Sequence, residues 1–264
     1  MKVDSVSRIS LQTLPEPLAP AAHSALGYLL DWDGCVAVSN QLVPAAVRFM
    51  QADPTRIVIV SNNSSNTVGD FLSILDGVGL CLDPGQIILA GVETLRRAAE
   101  DKTRPTLVLS DPRMRAEARR LGVSLGPGRP ERVVLLRDTR FSYARLEKAA
   151  DAIARGAPLL VANPDTSHPS KDGRRKPETG AWLAAIRACT GIPDARVEVI
   201  GKPEPALFQR GCAALGLLPS EVMMIGDNPS TDIRGAENLG IRSLLVDKDP
   251  GLFFSALNRE LRIA

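Results

Sequence analysis

Short apolar runs that alternate with stretches of helical spacing constrain this chain more than any other feature. The runs are Tyr28–Leu30, Ile57–Val60, Thr106–Leu109, Val133–Leu136, Pro158–Ala162, Val197–Ile200, Val222–Ile225 and Arg242–Val246. Between most of them lie segments with apolar residues at helical spacing, such as Phe208, Cys212 and Leu215 on a helix closed by Gly216. Strands that alternate with helices build a parallel sheet with helices on both faces. Continuous apolar strands agree, because a sheet covered on both faces has no polar side. The expected class is α/β, with a doubly wound parallel sheet.

A chain of 264 residues has room for one large domain or two modest ones. Its net charge of +2 gives no electrostatic case for nucleic acid or a membrane surface. Basic clusters such as Gly173-Arg174-Arg175-Lys176 are short and read as solvated faces. The cysteines, Cys35, Cys81, Cys189 and Cys212, form no CxxC pair and lack zinc spacing. No apolar run reaches the length of a membrane span. The N-terminal stretch has no continuous apolar core like that of a secretory signal. A cytoplasmic protein with free thiols is expected. Residues 1–22, with Pro15, Pro17 and Pro20, read as an N-terminal arm.

In open parallel sheets, ligands bind at the carboxyl ends of the strands. Four of the runs end in polar residues. Asp31 and Asp33 follow the first, and Ser61-Asn62-Asn63-Ser64 ends the second. Gly201-Lys202-Pro203 follows Val197–Ile200, and Gly226-Asp227-Asn228-Pro229-Ser230-Thr231-Asp232 follows Val222–Ile225. Carboxylates converging on one crevice repel each other and need a cation. A ligand set of hard oxygens, without His or Cys, suits Mg²⁺ rather than zinc. Ser61 and the amides after it form a polar loop fit for phosphate oxygens. Lys202 adds positive charge, and the whole set would stabilise a transferring phosphoryl group. One aspartate could attack phosphorus, and the other could protonate the leaving oxygen and later activate water.

The series DWDGCV, VSNNS, GKPEP and GDNPSTD resembles, in content and order, the four motifs of the haloacid dehalogenase superfamily of phosphatases. About 140 residues separate Ser61 from Lys202, far more than one crossover needs. The segment LLVANPDTSHPSKDGRRKPETGAWLAAI is similar to the cap of the NagD-like branch, which includes p-nitrophenyl phosphatases and pyridoxal phosphatases. The resemblance implies a Rossmann-like catalytic core over 23–84 and 191–264, with an inserted C2-type α/β cap over 85–190. It implies Mg²⁺-dependent hydrolysis of a small phosphorylated metabolite through an aspartyl phosphate, and leaves a homodimer through the cap as one option.

Residue by residue, the resemblance implies that Asp31 is the nucleophile and a metal ligand. Asp33 is the general acid and base and offers its main-chain carbonyl to the metal. Ser61, Asn62 and Asn63 hold phosphate, partly through backbone N–H groups. Lys202 neutralises charge on phosphate and nucleophile. Asp227 binds the metal, and Asp232 orients that shell or the lysine. His168, in a cap loop before Pro169, would contact substrate. Cys35 stands where Thr or Val is more usual, with its side chain expected toward the following helix. Glu178-Thr179-Gly180 replaces a Pro-Gly-x-Gly run.

Plainer readings exist for each. An acid–Gly stretch is often a turn, Ser61 could cap a helix, and Asp232 could be ordinary first-turn chemistry. Trp32 and Trp182 read as packing. A phosphoryl-receiver module shares the Asp, hydroxyl and Lys set, but needs about half this length and no Asp33. A catalytically silent relative would have lost one of these residues. A dehalogenase would lack the second aspartate, and a mutase would more often carry a different cap.

Overall fold

The computed structural model describes residues 24–38, 41–126, 128–169 and 174–263. The arm at 1–22 and His23 lie outside the described residues. A central five-stranded parallel sheet is built from β1 (Gly27–Leu30), β4 (Ile57–Ser61), β5 (Ile87–Leu89), β12 (Val222–Gly226) and β13 (Arg242–Leu245). Their order is β13-β12-β1-β4-β5. The chain runs from β1 through β4 to β5 on one side, and β12 and β13 fill the other. Crevices at such a reversal are where α/β sheets bind ligands.

Helices cover both faces because successive β1 side chains point to opposite sides. Tyr28 meets Phe49 of α1 (Pro44–Ala52) edge-on, with ring centroids 5.0 Å apart. Phe49 in turn meets Phe254 of α9 (Pro250–Glu260) at 5.6 Å. Leu29 points to the other face, against Gly211 of α7 (Pro205–Leu215). All four β1 residues are buried, as a two-faced cover requires.

A second parallel sheet has the order β11-β8-β7-β6. Its strands are β6 (Thr106–Leu109), β7 (Arg132–Leu135), β8 (Leu159–Val161) and β11 (Val197–Val199). One face, with Val133, Leu135, Leu159 and Val161, packs on α5 (Tyr143–Ala154) and α6 (Thr179–Thr190) through Ile153, Leu183 and Ile186. Val108, Val134 and Leu160 on the other face join the main core, with Leu95 of α3 (Ala90–Ala99) and Met114 of α4 (Pro112–Arg120). A small antiparallel hairpin, β9 (Ser167–Pro169) and β10 (Arg175–Pro177), pairs His168 with Lys176.

Every expected strand is present. Three elements were not foreseen: the hairpin β2 (Ala37–Val38) with β3 (Gln41–Leu42), the β9–β10 hairpin, and β5. The strand β5 falls inside the range expected for the cap, yet it pairs with β4 of the central sheet. Conversely, β11 falls in the range expected for the core but pairs with β8 of the second sheet. The chain therefore leaves the central sheet after Leu89 and the second sheet after Val199. The reason is local: Ile87, Ile88 and Leu89 are all buried and fit a covered edge, whereas β11 is only partly buried on the rim.

Gly180 shows how the second unit meets its own loop. A β-carbon there would lie 2.1 Å from the Pro164 carbonyl oxygen, because the first turn of α6 rides on the chain leaving β8. The Gly180 N–H donates to the Asp165 carbonyl at 2.7 Å. Gly180→Ala is expected to lower unfolding free energy by about 1–3 kcal/mol, measured by denaturant titration.

Candidate active site

The polar strand ends meet in one crevice. Asp31 follows β1, and its backbone N–H donates to the Ile225 carbonyl at 2.9 Å, so the neighbouring strand sets its position. Lys202 lies beneath it, almost fully buried at 1% exposure. Its Nζ contacts Asp31 Oδ1 at 2.6 Å and Asp232 Oδ1 at 2.6 Å. It also donates to the Val60 carbonyl at 2.9 Å. All three ammonium protons thus have an oxygen to face. Burial works against this charge, but Asp232 and Asp31 together push the lysine well above its ordinary value. Burial pushes the Asp31 carboxyl up, and the Lys202 charge opposes that. With both carboxylates at 2.6 Å, the proton resides on the lysine.

Asp31, Asp227 and Asp232 each offer a carboxylate oxygen within 4.8 Å of the others. Burial, then the Asp232 charge, pushes Asp227 up to about 6. Asp232 sits in the π-helical turn Pro229–Ile233, where its Oδ2 accepts from the Asn228 N–H at 3.0 Å. It is a buried carboxylate held between lysine and backbone. Gly34, at φ +84°, makes room for Asp227: a β-carbon there would lie 2.1 Å from Asp227 Oδ2. An all-oxygen donor set, a glycine-cleared carboxylate and a raised Asp227 pKa together fit a divalent cation. Asp33 is not part of this carboxylate group. Asp33 is exposed, and desolvation raises its pKa against the charges of His168, Lys202 and Arg137.

Ser61 is the last residue of β4 and is buried. It does not cap α2 (Val68–Asp76), whose N-cap is Thr67 in a reciprocal box with Asp70. The Ser61 hydroxyl accepts from the Asn63 N–H at 3.1 Å. The side chains of Asn62 and Asn63 make hydrogen bonds within the protein. Asn62 Oδ1 accepts from the Lys202 N–H at 2.7 Å, and its Nδ2 donates to the Lys202 carbonyl and to Asp165 Oδ2, both at 3.0 Å. Asn63 Oδ1 accepts from the Ser65 and Asn66 N–H groups and so shapes its own turn. The Asn62 amide, with its oxygen and both Nδ2 protons engaged, has no donor left for a ligand.

Several residues of the site were not singled out from sequence. Asn163 Nδ2 donates to the Asn62 carbonyl at 2.8 Å, and the Ser64 and Thr179 hydroxyls meet at 3.2 Å. The Arg137 N–H donates to Ser64 Oγ at 3.1 Å. Glu178 stands at the start of α6, with Arg137 Nε 3.5 Å from its Oε1 and His168 Nδ1 2.6 Å from the same oxygen. Burial pushes Glu178 up to about 7. Burial, then the Arg137 charge, lowers the His168 pKa. Asn163 and Asp165 follow β8, and Arg137 and Asp138 follow β7, so the strand-end rule would have found them had it been applied to the second sheet. The Cys35 thiol faces the Ile225 carbonyl at 3.5 Å, on β12 rather than toward a following helix. Trp32 is fully buried against Phe71, and Trp182 stacks on Phe141 at 4.6 Å.

Comparisons with known proteins agree with this geometry. Residues 28–124 match the haloacid dehalogenase-like hydrolase family, and residues 199–250 match the HAD-hydrolase-like family. Mouse chronophin is 31% identical over 84% of this chain and 80% of its own length. The p-nitrophenyl phosphatase of Archaeoglobus fulgidus superposes with a TM-score of 0.76 at 27% identity, covering 84% of this chain and 86% of the other. A glycerol phosphate phosphatase from Mycobacterium tuberculosis in complex with calcium superposes with a TM-score of 0.73 at 27% identity, over 86% of this chain and 67% of that one. The chain belongs to the haloacid dehalogenase-like hydrolases, among the NagD-like phosphatases, and is a phosphoric monoester hydrolase.

Asp227 gives a test with a defined sign. Its folded pKa of about 6 lies above the ordinary 3.8, so the folded chain holds this proton more tightly than the unfolded chain. Rising pH therefore removes stability between about 4 and 6, and the loss is complete above 6. Without divalent cation, Asp227→Asn should raise the melting temperature at pH 7.5 and change it less at pH 4.5. The gain is about 1 kcal/mol or less because the side chain is exposed and screened.

Proposed function

We propose that this chain hydrolyses small phosphomonoesters with Mg²⁺, by way of a phosphoryl group carried on Asp31. The observation that supports this most is the pairing of Asp31 with buried Lys202 beside two further carboxylates, with Asp33 apart from them and exposed. Mg²⁺, held by the carboxylates of Asp31 and Asp227 and the main-chain carbonyl of Asp33, would offset negative charge where phosphate binds.

Lys202 holds one Asp31 oxygen, which orients the other for attack on phosphorus. As the Asp31–phosphorus bond forms, the ester P–O bond breaks and Asp33 gives its proton to the leaving oxygen. Asp33 then takes a proton from water, whose oxygen attacks the same phosphorus. The acyl phosphate P–O bond breaks, and Asp31 and inorganic phosphate are regenerated. The raised Asp33 pKa suits a group that must first hold a proton. The Ser61 hydroxyl and the amides behind it line the phosphate position, and Asp232 holds the lysine. His168 reads the leaving part of the substrate from the cap.

Pyridoxal phosphate, phosphoglycolate and sugar phosphates are the substrate range, in a cytoplasmic setting. The catalytic unit comprises the central sheet and its helices, and the cap comprises the second sheet and its own; a homodimer through the cap is compatible with this plan. Among the described residues no helix is long and apolar enough to cross a membrane. A phosphoryl receiver is the weaker reading, because Asp33 and a whole second sheet would then have no task.

Phosphate release measured across a panel of phosphorylated metabolites tests the proposal. Activity should require Mg²⁺ and fall by at least about 10³-fold in Asp31→Asn, in which the nucleophile is removed. Full turnover by that variant, or turnover indifferent to chelation, would reject the mechanism. His168→Ala should raise KM for pyridoxal phosphate severalfold with a smaller change in kcat; an unchanged KM would remove His168 from the substrate contact.

A further inference from the structure

Arg137 has no task in the chemistry above, yet it occupies a built position over the crevice. Its main chain is pinned on both sides. The N–H donates to Ser64 Oγ at 3.1 Å, and the carbonyl accepts from the Asp111 N–H at 3.3 Å. Asp138, the next residue, is fully buried and paired with Arg145. The loop that carries the guanidinium is thereby rigid, and a pre-set arginine loses less freedom when it binds.

The side chain itself is poorly matched by the protein. Its Nε is buried and has no aligned hydrogen-bond partner among the described residues. The Glu178 carboxylate lies 3.5 Å from it, too far for a good hydrogen bond. His168 Nδ1 approaches the same Glu178 oxygen at 2.6 Å, also without hydrogen-bond alignment. One carboxylate oxygen therefore faces two cationic or potentially cationic groups, and neither is properly satisfied. A buried guanidinium donor left in that state loses free energy that a better acceptor would return.

The location supplies the rest. Arg137 donates its N–H to Ser64, three residues past Ser61, and its charge and that of His168 act on Asp33. If Asp33 protonates the leaving oxygen, the leaving part of the ester extends from Asp33 toward these two residues. We propose that Arg137 is a specificity residue that binds an anionic group, a carboxylate, on the leaving part of the substrate, so that the favoured esters are phosphorylated hydroxy acids. The fork of the guanidinium matches a carboxylate in two parallel hydrogen bonds, which the single Glu178 contact does not. Glu178 then serves as a stand-in partner that a substrate carboxylate displaces, and it remains beside His168. This rests on the phosphatase reading and narrows it to a class of ester.

Two matched pairs of substrates test it: 2-phosphoglycolate against 2-hydroxyethyl phosphate, and 3-phosphoglycerate against glycerol 3-phosphate. Within each pair the carboxylate is the main difference, and the two lengths allow for the reach from Asp33 to Arg137. The quantity read is the ratio of kcat/KM for the acid to that for its counterpart without the carboxylate. In the unaltered protein this ratio should exceed one in at least one pair. Arg137→Met should lower it about tenfold or more, the scale of one lost hydrogen bond to a charged group. Arg137→Lys, which keeps the charge without the fork, should fall between. Glu178→Gln, which weakens the competing partner, should lower KM for the acid. The last two variants keep the test open should Arg137→Met fail to fold. A ratio unchanged by both Arg137 substitutions would overturn the proposal and leave the phosphatase reading intact. A proportional loss on both members of a pair would also overturn it, since that marks a purely structural arginine. Phosphate release from neither member of any pair, nor from p-nitrophenyl phosphate, by the unaltered protein would remove the underlying reading and this one with it.

Discussion

A single buried ammonium organises the crevice. Lys202 Nζ lies between the carboxylates of Asp31 and Asp232 and the Val60 carbonyl, and so joins β1, β4 and the turn after β12. Two carboxylates this close and this buried would repel each other strongly in its absence. The lysine in turn stays charged at 1% exposure because those same groups surround it. Removing one partner of such a set leaves an uncompensated buried charge, which costs about 3–5 kcal/mol. The geometry of the crevice and the stability of the sheet's carboxyl edge therefore share one set of contacts.

The second constraint is the polar seam between the two sheets. Asn62 holds the Lys202 backbone at both its N–H and its carbonyl, and reaches Asp165 at the end of β8. Asn163 returns a hydrogen bond to the Asn62 carbonyl, and Ser64 joins Thr179 and Arg137. The loop that should cradle phosphate is thus fixed from the cap side as well as from the core. Such coupling between a covering element and the reacting groups suits a site that must control access of water.

A cluster of opposed charges lies above that seam. Asp33, Arg137, His168 and Glu178 interact without any one pair being ideal. Burial pushes Glu178, which faces both His168 and Arg137, up to about 7. Imperfect pairing of this kind is a poor way to stabilise a fold and a good way to leave donors for a ligand.

The linear order of residues determined the strands of both sheets except β5, and the polar ends of four of them, because apolar periodicity and strand-end chemistry are local properties. Asp31, Lys202, Asp227 and Asp232 were legible on that basis, since each follows a strand long and apolar enough to recognise. Which side chains stay free was decided by the tertiary structure alone. Nothing local in the sequence shows that the Asn62 side-chain amide is taken up by the Lys202 backbone and Asp165. Arg137 and Glu178 look like surface charges until β7 and α6 bring them together with His168. Strand β5 was hidden because three apolar residues at a buried edge carry no periodicity, and only pairing with β4 reveals them. Local pattern specifies what an element is, whereas hydrogen-bond competition across segments a hundred residues apart specifies which groups remain available to a substrate.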